Sequence, residues 1–218
     1  MTRTHDNDAG QLGFDDLLAD TEAQNAHRKF ERETAHLPGD MEKGLSFYRE
    51  QLRAHNSAML ACDGDEIIRI RGQARLLAAK LNGGTFGILA GPESPGNVLM
   101  DRTAGPERHV PLWGQKGDFI IDIDDIPVRV EMEGMLGIVS HCHWLGFAIH
   151  AVDRDRPFLS ETGYRSFLGV HADPAKDVAV DQFVETVLRS YLSEELGGHP
   201  VALIPRGQHL NMPAQANR

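Results

Sequence analysis

At 218 residues, 41% hydrophobic and 25% charged, the chain has enough apolar mass for a globular core. Its formal net charge of -10 and pI near 5.5 disfavour sequence-independent attraction to nucleic acid or anionic lipid. Two cysteines, Cys62 and Cys142, form no disulfide framework, and neither a secretory apolar core nor a bilayer-length apolar run occurs, so a cytoplasmic location is expected.

Residues 1–12 read as a disordered tail, and 13–82 as a helical segment. Phe14 to about His36 favours helix, with Asp15 and Asp16 suited to a helix start; its apolar residues thin to Ala23, Ala26 and Phe30, enough for one narrow stripe or for ordering against a partner. Met41, Leu45, Tyr48, Leu52, His55, Met59 and Cys62 then step by four and three residues alternately, as a helix seam does. Ile67, Ile70, Ala74, Leu77 and Leu81 repeat that stepping beyond Asp63-Gly64-Asp65, where Asp63 and Glu66 resemble a capping box. Asn82-Gly83-Gly84 stops the second run, because glycine tolerates the left-handed conformation that ends helices. The spacing predicts an antiparallel helical hairpin over about 40–62 and 65–82, with seams that pack on the sheet or on a second copy of the chain.

Glycines and prolines crowd residues 83–117, which reads as an ordered, irregular connection in which helix is nearly excluded. Val110 to Trp113 and two other apolar pieces suit brief strands or plug-like loop contacts. Strands follow in a unit over 118–205. Phe119, Ile121 and Ile123 alternate on one side of the first, and Val128, Val130 and Met132 on one side of the second. With Asp125-Ile126 as the turn, Ile121 faces Val130 and Asp122 faces Arg129. Further strands are expected near 136–141 and 147–152, completing an antiparallel meander. Val180, Phe183, Val184, Val187, Leu188, Tyr191, Leu192 and Leu196 make a broad stripe on a helix over 178–196, ended by Gly197-Gly198. Val201–Ile204 suits a final strand, and 206–218 a loose tail. The class is α+β: three helices including the hairpin, a small antiparallel sheet, and a C-terminal helix packed on it.

Chemistry-bearing residues concentrate between His141 and His171. On a strand, His141 and His143 project to one face and could share a divalent metal, with His150 or His171 completing the set. The next carboxylate is Asp153, with none between Trp144 and Ala151, so the spacing of a facial His/carboxylate set is not met, and no cofactor is predicted. Cys142 points away from its flanking imidazoles and reads as structural. Arg154, Arg156 and Arg165 suit bidentate capture of a carboxylate or phosphate, with Glu161 and Tyr164 beside them; the same arginines can equally pin the loop by pairing with Asp153, Asp155 and Glu161. The glycine run 83–91 lacks a phosphate-loop pattern, and no nucleophile elbow, HExxH or CxxC is present.

The favoured expectation is a non-enzymatic binding or accessory protein, with a protein partner or self-association through residues 40–82. Its acid excess serves solubility, and suits a basic partner or a mimic of a nucleic-acid backbone. The alternative is a small metal-dependent or acid–base enzyme built on His141, His143, His150 and Arg165.

Overall fold

The computed structural model describes residues 8–85, 87–137, 143–153, 158–168, 170, 173 and 175–200, with side chains from residue 18 onward. The elements are α1 (Asp8–Thr34), α2 (Met41–Ala61), α3 (Gly64–Leu81), α4 (Pro95–Arg102), β1 (Gly117–Ile123), β2 (Ile126–Met132), β3 (Phe147–Ala151), β4 (Tyr164–Phe167) and α5 (Val180–Glu195). The α+β class holds. α1 begins inside the stretch read as a tail, and the expected strand at 201–204 and the tail at 206–218 lie outside the described residues.

Two aspartates start the hairpin. Asp40 accepts from the Lys43 amide at 2.9 Å and Asp63 from the Glu66 amide at 3.1 Å, each satisfying a backbone donor that the first turn leaves free. Cys62 takes the left-handed conformation (φ 59°) that turns the chain between α2 and α3. Both seams go into the chain's own core: Tyr48, Leu52 and Met59 from α2, and Ile67, Ile70, Ala74 and Leu77 from α3 are all buried. α1 touches this body only near its end, where the Lys80 ammonium donates to the carbonyls of Thr34 (2.8 Å) and Leu37 (2.6 Å).

α4 corrects the expectation that 83–117 excludes helix. Proline is preorganised for the first helical turn, and Gly96 lets that turn approach the Ile88 carbonyl, which an added Cβ would meet at 2.7 Å. Leu99 and Met100 are buried. The rest of the connection does plug the core, since Trp113 is fully buried.

The sheet is an antiparallel meander in the order β1-β2-β3-β4. Its first register differs from the sequence expectation: Ile121 faces Val128, Phe119 faces Val130, and Arg129 faces Ile120 instead of Asp122. The turn is Asp124-Asp125, with φ of 51° and 63°. Both central residues of such a tight hairpin need positive φ, which short polar side chains tolerate and β-branched Ile126 does not. Leu136 and Gly137, expected in a strand, lie in a turn, and the remainder of that piece is outside the described residues. Phe119, Ile123, Val128, Val130, Met132, Phe147 and Ile149 are buried on the inner face, and α5 covers it. Phe183 of α5 packs edge-on against Phe147 at 6.1 Å, and Arg189 bonds the turn carboxylate of Asp124 at 2.9 Å.

Asp125→Val is expected to lower stability by about 1–2 kcal/mol, because a β-branched residue is forced to positive φ. Asp125→Gly should be neutral or stabilising. Urea unfolding of the two variants beside the parent checks this.

Candidate functional site

Two groupings of polar side chains stand out, one sealed and one open. The sealed one starts at Arg71 on α3, 4% exposed. Its Nε donates to His55 Nε2 at 3.0 Å, and its Nη2 donates to the His143 carbonyl at 3.0 Å and touches Met59 Sδ at 3.8 Å. Arginine has only donors, so His55 Nε2 carries the lone pair and Nδ1 the proton. That N–H donates to the Trp113 carbonyl at 2.8 Å. Burial, then the Arg71 charge, hold the His55 pKa down to about 4; the Trp113 bond opposes this and His143 adds to it. Gly114, at φ 87°, is required here, since a Cβ would lie 2.7 Å from His55 Nδ1.

Trp113 extends the chain of contacts. Its amide donates to Asn56 Oδ1 at 3.0 Å, its indole N–H to the Val178 carbonyl at 2.8 Å, and its ring meets Trp144 and Phe183 at 5.4 and 5.3 Å. Arg71, His55 and Trp113 are all buried, and their bonds join α2, α3 and the loops before β1 and β3.

The open grouping lies on the sheet face opposite α5. Register places Ile120, Arg129, His150 and Tyr164 in one row across all four strands. They floor a concavity of about 880 Å³, walled by Glu107 and Arg108 beside β1 and by Thr162 and Gly163 before β4. His150 Nε2 lies 3.1 Å from Glu131 Oε2, and its ring tilts against Tyr164 at 5.1 Å. The row's own Ile120 and Tyr164, and Val152 beside it, are unusually exposed for large side chains, at 41%, 48% and 49%. A floor of one cation, one imidazole and one phenol with apolar flanks can hold a ligand by stacking and hydrogen bonds.

The residues singled out from sequence do not converge. His141, Cys142, Arg154, Arg156 and His171 lie outside the described residues. His143 sits edge-on to Trp144 at 4.8 Å, on the α5 side of the sheet, with its Nε2 buried and unpartnered among the described residues. Burial and then the Arg71 charge lower its pKa. His150 is on the other face. Tyr164 and Arg165 are neighbours on β4 and therefore point to opposite faces: Tyr164 into the concavity, Arg165 to 4.1 Å over the Tyr191 ring of α5. Glu161 is exposed in the turn before β4. His150 and Arg165 cannot share one small ligand across an intact sheet. Among the described residues no three His, Cys, Asp or Glu gather as metal ligands.

Sequence reading missed Arg71 and Arg129. Arg71 lies four residues after Ile67 and three before Ala74, inside the apolar stripe of α3, and that position was its signal. Arg129 showed only as an outward residue of β2; its place in a row needed the register.

Residues 116–202 match a family model described as the KlcB third domain, a stretch that begins at the sheet and runs past α5. Two curated proteins of Escherichia coli, both called Protein KlcB, are similar to the chain. One is 36% identical over 163 residues, covering 74% of this chain and 39% of that protein. The other is 38% identical over 161 residues, covering 72% and 33%. The chain thus spans between a third and two-fifths of the length of these relatives. No solved structure matches it. No helix among the described residues is long and apolar enough to cross a membrane.

The sealed cluster sets a pH dependence. Unfolded, His55 takes up a proton near pH 6.5; folded, it refuses one until about pH 4. The unfolded state binds more protons in that window, so stability should fall by on the order of 3 kcal/mol as pH drops through it, and this contribution should level off below. Urea unfolding at pH 7, 5.5 and 4 should show that His55→Gln removes most of the fall. Arg71→Met should lower stability by roughly 3 kcal/mol at pH 7, because the His143 carbonyl and His55 Nε2 lose their donor.

Proposed function

We propose that this chain is a non-enzymatic binding module that contacts a protein partner through the open face of its sheet. One observation carries the reading: a four-strand row of Ile120, Arg129, His150 and Tyr164 stands uncovered among the described residues, with Ile120, Tyr164 and the neighbouring Val152 about half exposed. Packing normally leaves the outer face of a half-covered sheet polar. Ile120 and Tyr164 break that alternation at opposite sides of one concavity, as a surface held for contact does.

The hairpin at 40–82 offers less. Its seam side chains lie in the chain's own core, and Ile68, 71% exposed, is the one large apolar residue of α2 and α3 standing far out of it. Self-association there would rest on little apolar area. An acid–base reading of the open face loses Arg165, the cation meant to hold its substrate, which is turned to α5, and keeps His150 with Glu131. The two KlcB proteins to which the chain is similar carry names that specify neither a reaction nor a ligand, which agrees with an accessory role.

The test is partner retention. Ile120→Ala combined with Tyr164→Ala should change stability by less than about 1 kcal/mol, since both sites are half exposed. Recovery of the crosslinked cellular partner, quantified by mass spectrometry, should fall at least tenfold. Ile68→Ala should leave recovery unchanged. Equal recovery with the double variant and the parent overturns the reading.

A further inference from the structure

We infer that α3 joins two copies of this chain in a weak antiparallel contact, with Ile68 of each copy seated on Gly72 of the other. This contact is separate from the open face of the sheet and does not rest on it.

Two features one turn apart on α3 carry the inference. Ile68 is 71% exposed, whereas Ile67 and Ile70 beside it are buried. Gly72 stands exposed at the middle of a helix of 18 residues, where glycine weakens the helix relative to alanine. Nothing in its own chain calls for glycine there. Its φ is not left-handed, and an added Cβ would meet nothing within 4 Å. Gly44 of α2 differs, since a Cβ there would lie 3.0 Å from Leu81 Cδ1. A protruding side chain and a missing one, four residues apart on one helix face, are the knob and the hole of a close helix–helix contact.

The neighbouring residues identify the occupant. Asp65, Ile68, Gly72 and Arg75 step by three, four and three along α3, as a coiled-coil seam does. Laid antiparallel on a second copy about a two-fold axis, this seam sets Ile68 over Gly72 and Asp65 across from Arg75. Each pairing occurs twice, as a contact between identical surfaces requires. A parallel arrangement would set Asp65 against Asp65 and Arg75 against Arg75, and would leave the two glycines facing a gap. Arg69, which flanks the seam, is neutralised within its own chain by Glu66 through two bonds of 2.6 Å. The backbones approach closely at Gly72, but one isoleucine from each copy covers little apolar area, so the association is weak and concentration-dependent.

Sedimentation equilibrium of the full chain from about 10 µM to about 1 mM tests this. The parent should be a reversible mixture of monomer and dimer. Gly72→Leu fills the hole with a better helix former, so it should weaken the dimer at least tenfold without lowering the melting temperature of the dilute chain. Ile68→Ala should weaken it at least fivefold and Asp65→Lys at least threefold, and adding Arg75→Glu to Asp65→Lys should restore the parent's strength to within twofold. A parent that stays monomeric across the range overturns the inference, as does a dimer that Gly72→Leu and Ile68→Ala leave intact. A dimer unmoved by Asp65→Lys overturns the antiparallel register. A dimer lost on Ile120→Ala with Tyr164→Ala places the contact on the sheet, which overturns the role of α3 and leaves the open face as contact surface.

Discussion

A guanidinium enclosed by two helices and a loop governs how the helical and sheet halves of this molecule meet. Arg71 spans α3, α2 and the His143 backbone, and His55 passes the link to the carbonyl of Trp113. Trp113 in turn holds α2 through Asn56 and the start of α5 through Val178. Every donor and acceptor in this relay has one direction, because arginine cannot accept and the imidazole can then offer only one proton. Apolar packing would tolerate many relative positions of hairpin and sheet. The relay permits few, since any slip leaves a buried polar group unanswered.

That fixed junction determines which face of the sheet stays open. Trp113, Trp144 and Phe183 form an aromatic block at one end of α5, with Trp144 and Phe183 stacked at 4.6 Å. Arg189 ties α5 to the β1–β2 turn further along. Held near both ends, α5 covers the inner face, and the row from Ile120 to Tyr164 lies on the other. The row is thus a by-product of register: four residues on four strands become neighbours because the strand pairing aligns them.

The elements were legible where the signal is local. Seam stepping, the Asp63 cap and the Asn82-Gly83-Gly84 stop gave the hairpin, and alternation gave the inner faces of β1 and β2. Register was not, because it depends on which pair bears positive φ: Asp124-Asp125 and Asp125-Ile126 differ by one residue, and only the reluctance of Ile126 separates them. α4 was hidden by its own proline and glycine, which mark turns more often than helix starts. The candidate site suffered most. Alternation put Tyr164 and Arg165 on opposite faces, but nothing in a single sequence aligned His150 with Tyr164, or turned Arg165 toward Tyr191.

The inward setting of Arg165 bears on how this sheet avoids its own kind. Among the described residues β4 is an edge strand of four residues, and such edges are templates for intermolecular pairing. A charged side chain on the packed face, seated over Tyr191, would be enclosed further by a strand added from another molecule, and enclosing a charge costs free energy. Brevity and an inward charge together make this edge a poor template for a further strand.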